Sequence, residues 1–447
     1  MSRIKFFDKE GNIVLPYLGG EDGLEPFTGE YIYIPRPKYA EFWFTGLMPT
    51  DTSDSRVPTS LDFYMKVGNR TVLNAKCELS IQGHGSTAYA KKGYTFDVLN
   101  ANGDALSIKF GDMVAADSFH LKAYATDMTH TRGVSAANVW RQMVASLPWP
   151  QNLVNNRALN LATNQKKNAL FWADAKYAED GFPCGVYLNG EFFGLYTLKL
   201  KKSKPNYALD DSNKANIFLD SASSNYTAYL SQAFDPVDWD LKSPKISGYE
   251  ENGQITDADV LANIERLWTF TRNLGTMYEQ HEDYIVLNHW LCWYILCELI
   301  THRDTSGNNY ELLTWDGTHW SILPYDMDIT VGLNAWSNYT IETSVTGFVV
   351  GTKPGTGDTT FWSNFRTRYA NELSQLYTTL RKSGILSIEN LTKVYMSQAE
   401  EIPRNVYKAD LDKWGTIWTN GMPTIQQTVS VLESRLEYLD QQWLLNP

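Results

Sequence analysis

Residues 301–328, "THRDTSGNNYELLTWDGTHWSILPYDMD", decide how the rest of the chain is interpreted. A His-Arg-Asp triplet is followed, five positions after its aspartate, by Asn309, and Asp326 and Asp328 close the stretch. Between them, Asp316-Gly317 separates two apolar runs, a pattern that predicts a β-hairpin. These polar residues either form a site at the two ends of the hairpin or simply cap turns and rim a loop. The local sequence allows both interpretations.

The segment before the motif favours a site. Residues 282–300 are apolar on nearly every side, which predicts a buried helix. Protein kinases place a similar H-R-D-x-x-x-x-N loop directly after a buried helix, and a metal-binding aspartate follows beyond a short β segment. Asp304 and Asn309 fit the first part of this arrangement, and Asp326 with Asp328 fits the second. Two separated carboxylates allow one to bind Mg²⁺ while the other accepts a hydroxyl proton.

Composition excludes several classes of partner. The chain has 447 residues, 43% of them hydrophobic, and a formal net charge of −12. Nucleic acid and anionic membranes would repel such a chain, so we expect neither as a partner. No apolar run approaches the roughly 18 residues of a membrane helix. The first residues lack a basic-then-apolar signal layout, so we expect a cytoplasmic protein or part of an assembled particle, such as a phage virion or spore coat.

The cysteines and aromatic residues are expected in the core. Cys292 and Cys297 lie on the apolar helix, and buried thiols are favoured over a disulfide framework or zinc site for all four cysteines. The chain contains 15 Trp, 26 Tyr and 19 Phe, which favours a rigid aromatic core. Stacking of exposed rings on sugars or bases is the alternative.

Strands precede helices, so the predicted fold class is α+β. The first 200 residues are β-rich, with a hairpin at Asn189-Gly190 and one helix over 134–147. An acidic, turn-rich connection spans 208–256. The second half of the sequence predicts further helices. One begins at a Thr256/Asp259 capping box, and another carries an apolar stripe from Trp362 to Leu380. A third covers 387–402, and the last starts near Pro423.

Five blocks in one order carry a family resemblance. They are "IQGHGSTAYAKKGYTFDV", "FHLKAYATDMTHTRGVSAANVWRQM", "GVYLNGEFFGLYTLKLKK", "HRDTSGNNYELL" and "ILPYDMDITVG". This series, over about residues 75–440, resembles the CotH kinase family of spore coat protein H. The resemblance implies a diverged two-lobe protein-kinase-like fold, ATP with Mg²⁺ or Mn²⁺, and phosphorylation of protein hydroxyls.

Site residues follow from the resemblance by position. Asp304 resembles the catalytic aspartate, and Asn309 the asparagine that follows it. Asp326 and Asp328 resemble the metal-binding pair. The resemblance implies nucleotide binding by Gly83, Gly85, Ser86 and Thr87 of a Gly-Ser loop and by Lys91 or Lys92 on the next strand. Arg132 is either a structural residue or a further contact with a phosphate.

The chain departs from the family pattern at two positions. Gln82 replaces the usual arginine before the Gly-Ser loop, and Leu200 stands where the family usually has an acid. Protein kinases pair a strand lysine with a glutamate, so the missing acid affects the nucleotide-binding end. The nearby lysines are expected to form a solvated edge strand, although they could instead supply compensating charge: Lys199, Lys201, Lys202 and Lys204.

The predicted organisation is a β-rich extension over 1–70, an N-terminal lobe over 71–215, and a linker with a helical lobe over 216–447. Three functions are open. The chain is an active CotH-like kinase acting on Ser or Thr of a protein, a catalytically silent component of a virion or coat, or a carbohydrate-binding or carbohydrate-cleaving protein. Residues 1–70 are the expected contact with a protein substrate or assembly partner.

Overall fold

The structure is a computed structural model, and it resolves the chain into two compact units. Unit 1 comprises Met1–Ala125, Asp180–Ser203 and Glu400–Thr419; unit 2 comprises Thr126–Glu179, Lys204–Ala399 and Asn420–Pro447. The residues described are 5–7, 13–14, 31–53, 56–83, 85–147, 176–221, 227–246, 250–251, 254–305, 307–334, 346–352, 358–415 and 424–446. Much of the predicted extension, including residues 15–30, lies outside them.

Unit 1 is built mainly of strands. In chain order they are β1 (Lys5–Phe7), β2 (Ile13–Val14), β3 (Tyr31–Ile34), β4 (Ala40–Thr45), β5 (Thr59–Val67), β6 (Arg70–Gln82), β7 (Gly93–Leu99), β8 (Ile108–Phe110), β9 (Ser118–Lys122), β10 (Gly181–Leu188) and β11 (Glu191–Leu200). One sheet has the order β2-β1-β3-β8. The other, β10-β11-β9-β7-β6-β5-β4, closes on itself because β4 pairs in parallel with β10.

Alternation along the strands fills the interior of this closed sheet. In β4, Phe42 and Phe44 are buried while Trp43 between them is half-exposed. The rings of Phe63 and Phe96 meet edge to face inside, with centroids 5.1 Å apart. The predicted aromatic core is therefore confirmed in this unit. Arg70, where the β-rich extension was predicted to end, is the first residue of β6, which pairs with β5.

Asn189-Gly190 forms the predicted hairpin between β10 and β11. Both residues have positive φ, 51° and 89°, as a two-residue type I′ turn requires. Leu188 pairs with Glu191 on either side. This hairpin is confirmed as the sequence predicted it.

Unit 2 contains most of the helices. Among the described residues of both units, the α-helices in chain order are α1 (Arg132–Ala145), α2 (Ala258–Arg272), α3 (Leu274–Met277), α4 (Leu287–Leu299), α5 (Thr359–Arg368), α6 (Ala370–Lys382), α7 (Ile388–Glu400), α8 (Arg404–Trp414) and α9 (Ile425–Trp443). Its sheet β13-β12-β16-β17 consists of β12 (Ile217–Ser221), β13 (Trp239–Ser243), β16 (Tyr310–Thr314) and β17 (Trp320–Pro324); β14 (Glu250–Glu251) and β15 (Gln254–Ile255) form a separate pair. Strands before residue 200 and helices after 258 confirm the α+β class.

Helix α4 is the centre of unit 2. It packs on β17, where the indole Nε1 of Trp290 donates to the carbonyl oxygen of Trp320 at 2.9 Å. The ring Nδ1 of His289 lies 2.7 Å from the Ser321 hydroxyl. These contacts bind two polar side chains of a largely apolar helix, and a third, Glu298, is fully buried and pairs with Arg435 at 2.7 Å. The prediction of a buried helix here is confirmed, and its start is shifted from residue 282 to Leu287.

Three helix predictions need correction in detail. Helix α2 is capped by Asp257, whose carboxylate accepts from the backbone of Asp259 and Val260, rather than by Thr256. The stripe from Trp362 to Leu380 belongs to two helices, α5 and α6, which meet at Tyr369. Helix α9 begins after Thr424, which forms a capping box with Gln427; Pro423 lies outside the described residues.

Helix α8 was not predicted. It belongs to unit 1 and packs on β11, where Val406 and Ile402 form a small apolar cluster with Leu195. The indole Nε1 of Trp414 donates to the carbonyl oxygen of Phe193 at 2.9 Å.

Candidate functional site

The His-Arg-Asp triplet forms a tight turn directly after α4. Thr301 has a positive φ of 54°, which ends the helix and turns the chain. His302 is fully buried, and its backbone N–H donates to the carbonyl oxygen of Cys297 at 2.8 Å. The hydroxyl of Thr305 donates to the carbonyl oxygen of His302 at 2.6 Å, so the turn is fixed from within. Asp304, on this turn, keeps 8% of its surface exposed.

Asp304 and Asn309 lie in direct contact. The Asn309 Nδ2 donates to Asp304 Oδ2 at 2.5 Å. Asn309 has φ +56°, a left-handed conformation that asparagine tolerates better than most residues. Since its amide nitrogen is directed at Asp304, the amide oxygen of Asn309 remains as a ligand atom.

The two halves of the motif are joined by His302. Its ring Nε2 lies 3.1 Å from the carbonyl oxygen of Tyr325, and therefore donates to it. Burial lowers the pKa of His302 to about 4, so the ring is neutral at pH 7 with its proton on Nε2. The backbone N–H of Val331 also donates to the carbonyl oxygen of Ile300 at 2.6 Å. The turn that carries Asp304 is thus adjacent to the segment after β17.

Asp326 and Asp328 follow β17 and are each bound by a neighbouring residue. Asp326 has φ +52°, and its backbone N–H donates to Glu179 Oε1 at 3.0 Å. The hydroxyl of Thr126 donates to Asp328 Oδ2 at 3.3 Å. The structure therefore brings together the elements that carry all four predicted residues of this part of the site.

The surroundings of Asp326 are acidic. Burial raises the pKa of the Tyr325 hydroxyl well above its usual value, and the charges of Asp326, Glu179 and Glu311 raise it further. Glu311 is fully buried and Glu179 is 3% exposed. Such a concentration of carboxylates lowers the electrostatic cost of placing a cation there.

The donor set fits a magnesium site of the phosphate-dependent kind. Asp326, Asp328 and the amide oxygen of Asn309 offer oxygen ligands, which Mg²⁺ prefers, and Mg²⁺ takes only one or two carboxylates when phosphates and waters complete its shell. Within the described part of the chain, no group of three or more His, Cys, Asp or Glu side chains is arranged as a complete metal cage.

The Gly-Ser loop belongs to unit 1 and joins β6 to β7. Gly83 has φ +104°, and residues Gly85–Ala88 make one 3₁₀ turn. The guanidinium of Arg56 donates to the carbonyl oxygens of Ile81 and Gly83 at 2.6 and 2.8 Å, which fixes the base of the loop. Ser86 is exposed at its tip.

Lys91 and Lys92 are already bound within unit 1. The ammonium of Lys91 lies 2.8 Å from Asp410 Oδ2 on α8, and Lys91 is only 3% exposed. Lys92 donates to the carbonyl oxygen of Thr87 at 2.5 Å. Asp410 thus supplies Lys91 with the acidic partner that is missing at position 200. Leu200 itself is 1% exposed and packs in the core.

The expected solvated lysine edge is wrong for Lys199. Strand β11 is not an edge strand, because β10 and β9 pair with it on both sides, and Lys199 is fully buried. It lies opposite His120, and Thr197 lies opposite Lys122, all on the face turned away from the apolar core. Antiparallel partners share a face, so these side chains form one polar cluster.

Lys122 is a charged residue near the Gly-Ser loop that the sequence analysis did not single out. It follows Leu121, the partner of Tyr94, and so lies beside Gly93 at the base of the Gly-Ser loop. Its exposure is 9%. The available signal was its place in "FHLKAY", the strand after the Gly-Ser hairpin.

Arg132 is fully buried at the start of α1. Its guanidinium pairs with Asp127, which is also fully buried, and donates to the Thr428 hydroxyl at 3.1 Å. The carboxylate of Asp127 also accepts from the backbone N–H groups of Thr131 and Arg132 at 2.9 and 2.8 Å. Of the two roles left open for Arg132, this geometry favours the structural one.

Comparison with known proteins gives the family. The family model described as CotH kinase protein matches residues 79–440, which include the Gly-Ser loop and the whole 301–328 motif. The chain belongs to the CotH kinase family, as the resemblance implied. A search of the curated proteins found no match. No helix among the described residues is long and apolar enough to cross a membrane.

Proposed function

We propose that this protein is a CotH-like protein kinase that transfers the γ-phosphoryl group of ATP to a Ser or Thr hydroxyl of a structural protein. One observation carries the proposal. The Asp304–Asn309 pair is held beside the segment of Asp326 and Asp328 by the buried His302, so the proposed base and the proposed metal ligands lie on neighbouring segments. A diverged two-lobe kinase fold is part of the same proposal, supported by family membership.

Each residue has a separate task. Asp304 accepts the proton of the attacking hydroxyl as its oxygen bonds to the γ-phosphorus, and ADP leaves with the electron pair of the broken P–O bond. Asn309 orients Asp304 through its Nδ2 and offers its oxygen to the cation. Asp326 and Asp328 would hold Mg²⁺, which when bound would neutralise the charge that develops on the phosphates.

Nucleotide binding is assigned to unit 1. The backbone N–H groups of Gly83 and of Gly85, Ser86 and Thr87 are suited to phosphate oxygens. We assign the positive charge near this loop to Lys122, which follows Leu121, the partner of Tyr94 on β7.

Transfer of labelled γ-phosphate tests the proposal directly. With Mg²⁺ or Mn²⁺ and varied protein substrates, the wild type is expected to label Ser or Thr, and Asp304→Ala is expected to lose about 10²–10⁴-fold in rate, the range for a general base. Asp240→Asn, an exposed carboxylate on β13, serves as the control and should retain activity. Folded wild type that labels no substrate with either metal would count against the kinase.

A catalytically silent virion or coat component is the second candidate. The departures at Gln82 and Leu200, and the commitment of Lys91 to Asp410, favour it. Residues 1–70 are then the proposed contact with an assembly partner. A ligand that binds only the folded state must raise the melting temperature. On this alternative the protein binds no nucleotide, so ATP with Mn²⁺ leaves the melting temperature unchanged. Asp326→Asn would also leave assembly intact.

A further inference from the structure

Asp326 adopts a backbone conformation that is uncommon for residues other than glycine. Its φ of +52° is left-handed, and such a conformation in a non-glycine residue persists only where surrounding groups enforce it. The β16–β17 ladder does not enforce it, because the last paired residue of β17 is Pro324. The enforcing contacts must come from elsewhere in unit 2.

Two buried side chains bind the opposite ends of one peptide bond. The carbonyl oxygen of Tyr325 accepts from His302 Nε2 at 3.1 Å, and the N–H of Asp326 donates to Glu179 Oε1 at 3.0 Å. These two groups belong to the same planar peptide unit, so its rotation is blocked at both ends. His302 is fully buried and Glu179 is 3% exposed, so water does not compete readily for either bond.

Glu179 is itself fixed by α1. The guanidinium of Arg141 donates to the Glu179 carbonyl oxygen at 2.5 Å. Thr126, which precedes α1 in the chain, donates to Asp328 Oδ2 at 3.3 Å. Each aspartate is thus bound by a residue from outside the 301–328 motif.

We propose that Glu179 is a positioning residue for the cation-binding Asp326: its carboxylate and His302 together fix the 325–326 peptide and so aim the Asp326 carboxylate. The inference rests on the proposed function, since it requires that Asp326 binds a divalent cation. A carboxylate suits this task because a charged acceptor makes a stronger bond to an N–H, and its charge also favours the nearby cation. Partners that orient metal ligands typically contribute about 10–100-fold to metal affinity.

Mn²⁺ binding, followed by electron paramagnetic resonance in the presence of adenylyl imidodiphosphate, tests the proposal. Glu179→Ala is expected to weaken Mn²⁺ binding by about 10–100-fold. Glu179→Gln keeps an acceptor oxygen at the same place and is expected to restore most of the affinity. Asp358→Asn is the matched control, because Asp358 is an equally buried carboxylate of unit 2 that caps α5; it should lower stability without changing Mn²⁺ affinity.

The outcomes separate this inference from the proposed function. If the wild type binds no Mn²⁺, the kinase proposal fails and takes the inference with it. If the wild type binds Mn²⁺ and folded Glu179→Ala binds it equally well, only the positioning role is overturned. If Glu179→Ala does not fold, Arg141→Met, on the half-exposed side of α1, replaces it; that variant should weaken Mn²⁺ binding, and an unchanged affinity would refute the proposal.

Discussion

Lys91→Met should destabilise unit 1 while leaving nucleotide binding unaffected. The Lys91 ammonium lies 2.8 Å from Asp410 Oδ2, and the two side chains are only 2% and 8% exposed. It also lies 5.1 Å from the ring centroid of Tyr196. Methionine preserves most of the volume but leaves the Asp410 carboxylate buried without its cation.

The magnitude follows from what Asp410 retains. Removing one partner of a buried ion pair costs about 3–5 kcal/mol. Asp410 Oδ1 still accepts the N–H of Leu195 at 2.7 Å, so we expect a loss near the lower end, about 3 kcal/mol. In Lys91→Met/Asp410→Asn both charges are absent and the Leu195 bond remains, so most of the loss should be recovered.

Urea unfolding followed by circular dichroism and tryptophan fluorescence measures the free energy of unfolding, with separate transitions fitted if the two units unfold apart. Lys92→Met is the matched control, because Lys92 is half-exposed and makes one bond, to the carbonyl oxygen of Thr87; it should cost less than about 1.5 kcal/mol. ATP with Mn²⁺ should raise the melting temperature of Lys91→Met as much as that of the wild type. Wild-type stability combined with loss of that rise would show that Lys91 contacts phosphate and that the reasoning is wrong.

Two further predictions concern loops. Burial opposes ionisation of Asp316, but its bonds with His319 prevail and lower the pKa of Asp316 to about 2, while Asp316 raises the pKa of His319. The contribution of protonated His319 to the free energy of unfolding is therefore complete below about pH 6.5 and is lost as pH rises through the raised pKa. The difference in the free energy of unfolding between wild type and Asp316→Asn should then shrink above pH 6.5. Parallel pH profiles of the two proteins, measured by urea unfolding from pH 5 to 9, would contradict this. Gly83 has φ +104°, and Gly83→Ala places a Cβ 1.9 Å from the Ser86 Oγ, so this variant should reduce the ATP-induced rise in melting temperature. Gly103→Ala is the control, because Gly103 has φ +90° and open space around it, and it should not reduce that rise. Equal effects of the two variants would exclude a specific role for the Gly-Ser loop.

Features that depend on nearby residues were predictable. Asn189-Gly190 specifies its turn through two positive φ values, and the apolar run before the motif specifies a buried helix whatever it packs against. The pairing of Asp304 with Asn309 also spans only five positions. In each case the determining residues lie within one element or one turn.

Features that depend on distant residues were not predictable. The partner of Lys91 lies 319 positions away, on a helix that was not predicted, and no local pattern marks Asp410 as its acid. Glu179 contacts Asp326 across 147 positions. The burial of Lys199 likewise depends on which strands flank β11, and that pairing is not encoded within β11 itself.

These contacts between distant residues have a consequence for biosynthesis. Ala40 of β4 pairs with Cys184 of β10, so the closed sheet cannot form until residue 184 has left the ribosome. Asp410 follows later still, and until then Lys91 has no carboxylate to meet. Domains usually fold in the order in which they are translated, and contacts of large sequence separation form slowly. Unit 1 therefore begins first and is completed late, so we expect its strands to remain without their partners through most of translation.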